Sequence, residues 1–217
     1  MLSALSIARL ALAAAAAAAA PSPFLAAARA GKPVYATFET TLGSFVCRLD
    51  SKLAPQAVAD FVGYATGEKP WVDSRSPTKI EGEPLYDGTW FYRAVPDFAI
   101  QGGDPFDTGL IGPGYPFDDP AAEGGTFDQA GRLATVATGP HPTGSEFFVT
   151  EIPMPWLNGR HTVFGEVVAG METVHAIAHV PVGVFNRPLK PVILNKLRLS
   201  LEPPAAAPAP AKSAASH

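Results

Sequence analysis

An arginine set among apolar residues needs a partner or a use, because burying an unpaired guanidinium is costly. Arg93 is such a residue. It lies in Phe91-Tyr92-Arg93-Ala94-Val95-Pro96-Asp97-Phe98-Ala99-Ile100-Gln101-Gly102-Gly103-Asp104, with apolar neighbours around Arg93, Phe98 and Gln101. Taken alone, that segment leaves two readings open: a structural arginine in a rim salt bridge, or a functional one facing a ligand. Two more segments can carry chemistry. They are Thr143-Gly144-Ser145-Glu146-Phe147-Phe148-Val149-Thr150 and Pro155-Trp156-Leu157-Asn158-Gly159-Arg160-His161-Thr162-Val163-Phe164-Gly165.

Other constellations read as structural. Gly102-Gly103-Asp104 and Gly112-Pro113-Gly114 are followed by no helix N-terminus, so they are expected to be turns and not a phosphate cradle. Ser145 with His141 or His161 lacks the G-x-S-x-G elbow of a hydrolase. His175 and His179 stand at i, i+4 and could share zinc. No H-E-x-x-H and no third ligand accompanies them in the sequence, so they read as ordinary helix residues and no metal is expected. Cys47 is the sole cysteine, which excludes an internal disulfide. No activating base is near it in sequence, so it reads as structural.

Short strands must position these segments. Val34–Glu39 and Ser44–Leu49 alternate around a turn ending in Gly43, as a hairpin does. Ala54–Thr66 reads as a helix with Pro55 in its first turn, Ala57, Val58, Phe61, Val62 and Ala65 on one face, and Gly67 as its stop. Trp90–Val95, Phe98–Gln101, Leu133–Ala137, Phe147–Thr150, Val163–Val168 and Val192–Leu199 read as further strands. Met171–His179 is a second helix. Glu68–Leu85 and Gly103–Arg132 read as long loops. About eight short strands with two helices and no repeated βαβ unit predict an all-β-dominated antiparallel barrel over residues 33–202.

The bulk numbers set bounds. With 217 residues and 47% of them hydrophobic, the chain can bury one sizeable core. Its net charge of −4, without a basic block, gives nucleic-acid binding no electrostatic support. Residues 1–30 contain no acid, and Leu10 to Ala20 is all Leu and Ala. That pattern reads as a signal peptide with small-residue cleavage sites near Ala28 and Ala30, too short and proline-interrupted to span a membrane. An exported protein, periplasmic or secreted, is expected, with no stable membrane insertion once the signal is removed. Residues 203–217, almost all Pro, Ala, Ser and Lys, read as a disordered tail.

Together the three segments closely resemble the cyclophilin family of peptidyl-prolyl cis/trans isomerases, in its bacterial, exported form. The resemblance covers nearly all of residues 33–202 in the family's order and spacing. It implies an eight-stranded barrel capped by two helices, with a proline-binding groove on its surface. It places Arg93 at the catalytic arginine, and Phe98, Phe148, Leu157 and His161 at the proline pocket. Gln101 falls at the glutamine that contacts substrate backbone, and Trp156 at the groove tryptophan associated with cyclosporin binding. The implied partners are proline-containing unfolded or partly folded polypeptides and a cyclosporin-type ligand, the implied cofactor is none, and a monomer is expected. A rival reading from another class is a proline-peptide binding module or holdase without meaningful turnover.

The chain departs from the commonest pattern at several positions. Tyr92 replaces a frequent histidine, with little effect expected. Ala99 replaces a frequent methionine, and Val136-Ala137 a frequent Ala-Asn pair. Glu146 replaces a frequent glutamine. It is expected either to face the substrate residues preceding proline, favouring Lys or Arg there, or to point at Arg93 and hold it in place.

Overall fold

The computed structural model describes residues 20–72, 79–106, 125–136 and 144–203. Its centre is one eight-stranded antiparallel sheet with the strand order β10-β1-β2-β9-β7-β8-β6-β5. The strands are β1 (Val34–Thr40), β2 (Gly43–Leu49), β5 (Arg93–Val95), β6 (Ala99–Gly102), β7 (Arg132–Thr135), β8 (Phe147–Thr150), β9 (Val163–Ala169) and β10 (Leu194–Ser200). The sheet curls until its edges meet. Trp90, just before β5, bridges Ile193, just before β10, and the Phe91 amide donates to the Val192 carbonyl at 2.9 Å. This is the antiparallel barrel that the spacing predicts.

The strand alternation sorts side chains onto two faces. The inner face packs Val34, Phe38, Phe45, Leu49, Ile100, Leu133, Phe147, Val149 and Phe164 into the main core. Phe38 stacks on Phe45 with centroids 4.5 Å apart, and Phe147 meets Phe38 edge-on at 5.4 Å. Cys47 lies in this core, fully buried. Burial pushes its thiol up and holds it protonated, consistent with the structural role expected of it.

Helix α2 (Pro55–Thr66) starts on Pro55 and stops at Gly67, whose φ of +78° is the left-handed cap that glycine adopts without strain. Its apolar face, including Val58, Phe61 and Tyr64, is buried in the same core. Helix α3 (Met171–Ala178) buries Val174, Ile177 and Ala178. It contacts β2, β5 and β6.

Two elements differ from the sequence reading. Part of the segment read as a long loop pairs as a small hairpin, β3 (Trp71–Val72) with β4 (Lys79–Ile80). At the N-terminus, Pro23–Arg29 form helix α1, which packs on α2. Ser22 caps it: its hydroxyl accepts from the Leu25 amide at 3.2 Å and donates to Glu68 at 2.6 Å. Leu25, Ala27 and Ala28 are buried. The reading that begins the fold at residue 33 missed this helix because an Ala-rich stretch looks alike in a signal sequence and in a packed helix. Residues 1–19 and 204–217, which carry the rest of the signal and the tail readings, lie outside the described residues.

Burying one leucine and two alanines contributes at most about 3 kcal/mol, before the cost of ordering the segment is set against it. A chain beginning at Gly31 should therefore melt below one beginning at Ala20, by at most about 10 °C. Equal melting temperatures in thermal denaturation would show that α1 adds nothing to the fold.

Candidate functional site

The strand register builds the site. Arg93 on β5 pairs with Gln101 on β6, and Gln101 pairs with Phe148 on β8. Phe148 pairs with Ala134 on β7, which pairs with Val163 on β9. Directly paired residues share a face, so one row crosses five strands on the outside of the barrel. It runs from a cation, through an amide, to an aromatic and aliphatic end.

That apolar end belongs to a second cluster, separate from the main core. Ala99, Phe127, Ala134, Val136, Phe148, Met154 and Val163 are buried in it, with Phe98 and Leu157 packed against it. Phe127 stacks on Phe148 at 5.7 Å. His161 meets Phe148 edge-on at 5.1 Å. Arg93 is half-buried, with its guanidinium carbon 5.6 Å from the centre of the Phe98 ring. A fixed cation therefore borders an apolar patch, an arrangement that grips a hydrophobic ring beside a hydrogen-bond donor.

The rim is tied to this patch. Trp156 and Leu157 lie in a short 3₁₀ turn, with Trp156 56% exposed. The amide of Met154 donates to the Phe127 carbonyl at 2.7 Å, and the Phe127 amide donates to the Asn158 side-chain oxygen at 2.7 Å. Phe127, Met154 and Asn158 are site-building residues that the sequence motifs did not single out. Phe127 sits at the end of a Gly/Pro-rich stretch with no periodic signal, and Asn158 looks like an ordinary turn residue. Ala137 and His141 lie outside the described residues.

A cleft of about 420 Å³ between α1 and α2, lined by residues such as Leu25, Gln56, Asp60 and Lys69, holds no residue of the three motifs. Its lysine, Lys69, stands over the single ring of Tyr64 at 4.8 Å and is paired with Asp60.

The family model for cyclophilin-type peptidyl-prolyl cis-trans isomerases matches residues 35–199. This chain belongs to the cyclophilin family. It is 42% identical to peptidyl-prolyl cis-trans isomerase B of Streptomyces anulatus over 76% of this chain and 95% of that protein. It is 40% identical to peptidyl-prolyl cis-trans isomerase A of Mycobacterium tuberculosis over 76% of this chain and 91% of that one. A cyclophilin-type isomerase crystal structure from Cryptosporidium parvum superposes with a TM-score of 0.67 at 25% identity, covering 79% of this chain and 99% of its own. A second structure of that protein, in the presence of the dipeptide Ala-Pro, gives a TM-score of 0.64 at 26% identity, with 75% and 96% covered. The activity is peptidyl-prolyl cis-trans isomerisation, and the reading as a binding module without turnover gives way to it.

Two of this cyclophilin's departures form one contact. The Tyr92 hydroxyl donates to Glu146 at 2.9 Å, and both residues are buried. Burial first, and the Glu146 charge second, push the Tyr92 phenol up, so it keeps its proton and remains a donor. Glu146 is 3% exposed, against the first of its two expected placements, open toward substrate. The buried phenol of Tyr92 meets one oxygen of this buried carboxylate. The expected preference for Lys or Arg upstream of proline loses its physical basis with that exposure. Gly102-Gly103-Asp104, read as a turn and not a phosphate cradle, is a site of close packing. Gly103 has φ +86°, and a Cβ there would stand 2.5 Å from the Ser145 carbonyl oxygen.

His161 places Nδ1 3.2 Å from the Thr135 carbonyl oxygen, an acceptor only, so Nδ1 carries the proton. Burial lowers its pKa below the ordinary 6.5, with Arg160 adding to the effect. The neutral ring suits the apolar patch at neutral pH. Because the folded-state pKa is depressed, protonation disfavours the native pocket as pH falls. On a peptide without titratable groups, kcat/KM should be flat above neutrality and fall on the acid side with a midpoint below 6.5. His161→Gln should lack that acid limb. A midpoint above 6.5, or the same limb in the variant, contradicts this assignment.

Proposed function

We propose that Arg93 is the catalytic side chain and that this cyclophilin works on exported polypeptides. The observation that carries the first claim is the row in which Arg93 ends beside Gln101 and the Phe148 patch. Rotation about an X-Pro bond meets a barrier of ~20 kcal/mol, because the amide nitrogen shares its lone pair with the carbonyl. Twisting the amide returns that lone pair to nitrogen. The Arg93 guanidinium donates a hydrogen bond toward the prolyl nitrogen and so favours the twisted amide over the planar one. The patch of Phe98, Phe148, Leu157 and His161 holds the proline ring, and Gln101 takes the substrate backbone. The carbonyl side then rotates. Arginine suits this task through its permanent charge and rigid fork. Trp156 and Leu157 form the rim, where a cyclosporin-type ligand would lie. Ala99 and Val136, both small or short and both buried, reshape one wall of the pocket, with Ala137 following in the chain.

The substrate class is proline-containing unfolded or partly folded chains, as the open, half-exposed site suits an extended segment. In a protease-coupled assay, Arg93→Ala should lose about a hundredfold in kcat/KM, the usual cost of removing one preorganised donor. Undiminished activity in the variant removes Arg93 from the mechanism.

Export rests on the Leu/Ala run and the absence of acids in residues 1–30. Among the described residues no helix is long and apolar enough to cross a membrane. The packing of α1 suggests that processing leaves Ser22 and the helix it caps in place, upstream of the Ala28 and Ala30 sites. Intact mass spectrometry of the natural protein should give a start at or before Ser22 in an extracytoplasmic fraction. A retained Met1 in the cytosol overturns the proposal.

A further inference from the structure

The fold supplies what the His175/His179 pair lacks in sequence, a third ligand. Glu151, just after β8, lies against the outer side of α3. Its Oε1 is 2.8 Å from His179 Nε2 and in contact with His175 Nδ1. One donor atom from each residue lies within 4.8 Å of the others. The two imidazoles lie with centroids 4.2 Å apart and their planes tilted by 36°, both aimed at the same carboxylate oxygen.

Glu151 is not an ordinary surface acid. Its side chain is only 5% exposed, while His175 and His179 are 64% and 38% exposed. Its second oxygen, Oε2, accepts from the Asp97 amide at 2.8 Å. Its own amide donates to the Phe98 carbonyl at 2.8 Å. The carboxylate is thus oriented by backbone on one side and presented to two imidazoles on the other. Outer-shell hydrogen bonding of this kind orients a metal-ligating carboxylate.

We propose that Glu151, His175 and His179 bind one first-row divalent cation, with zinc the best match. Two imidazoles and one carboxylate form a set that zinc favours, with solvent filling the fourth position from the exposed side of α3. Metal–ligand bonds of about 2.0–2.2 Å put tetrahedral donors about 3.4 Å apart, so the imidazoles need only swing outward slightly to admit the ion. Exposed helix side chains can make that movement. The ion would fasten α3 to the turn between β5 and β6, where Asp97 holds a φ of +54° and Phe98 begins its approach to Arg93. The competing occupant is a proton: both imidazoles then simply donate N–H to Glu151, and zinc adds nothing.

The test uses the full, untagged chain in a non-coordinating buffer with zinc chloride, read by isothermal titration and thermal denaturation. The wild type should bind one zinc per chain and gain melting temperature as zinc rises. The double variant His175→Asn/His179→Asn, altered only at exposed helix positions, should lose both effects. Glu151→Gln should weaken binding at least about tenfold. His161→Asn should bind zinc as the wild type does. The proposal is overturned if the wild type takes up no zinc at about 100 µM free metal, or if the double variant binds it as tightly as the wild type.

Discussion

Everything at the site depends on strand register. Arg93, Gln101 and Phe148 stand opposite one another on three neighbouring strands. A one-residue slip on any of the three would send its side chain to the other face. An arginine would then enter the aromatic core, or a phenylalanine would leave the outer patch. The inner core makes that slip costly. Ile100 and Val149, one residue along from Gln101 and Phe148, are fully buried among the phenylalanines. The core thus does more than hold the barrel together. It fixes, residue by residue, which side chains stand on the outer face.

The outer patch has its own reinforcement. Phe127 stacks on Phe148, and the turn carrying Trp156 and Leu157 is hydrogen-bonded back to the Phe127 segment. A greasy patch on a barrel surface would ordinarily be an exposed liability. Here most of its side chains bury one another, leaving a half-open edge where the cation sits. Next to that edge, the Tyr92 hydroxyl donates to Glu146 Oε2 away from solvent. Two changes that look independent in the sequence act as a donor and its acceptor.

Much of this was legible in the residues. The alternation of short strands gave the barrel, and the three motif segments led to Arg93, Phe98, Gln101, Phe148 and His161, which the fold brings to one outer face. The illegible parts share a cause: they depend on contacts between residues far apart in the chain. Helix α1 was read as part of a signal because its buried face, Leu25, Ala27 and Ala28, has meaning only against α2. Glu146 was expected to face substrate or to hold Arg93, and its contact with Tyr92 was missed because that partner lies 54 residues away. Glu151 looked like any acid after a strand, and only the placement of α3 sets it before two histidines.

The central claim is that Arg93 favours the twisted amide over the planar one, so its loss should separate turnover from binding. The most direct measurement is proline-peptide affinity and cis–trans exchange rate by NMR on the same samples, for wild type, Arg93→Ala and Arg93→Lys. The account predicts that peptide affinity changes only a fewfold, because the aromatic patch remains, while catalysed exchange falls about a hundredfold in Arg93→Ala and substantially in Arg93→Lys, whose ammonium lacks the planar fork. Affinity and exchange falling together by the same factor would mean that Arg93 only binds the ground state, and would contradict the account.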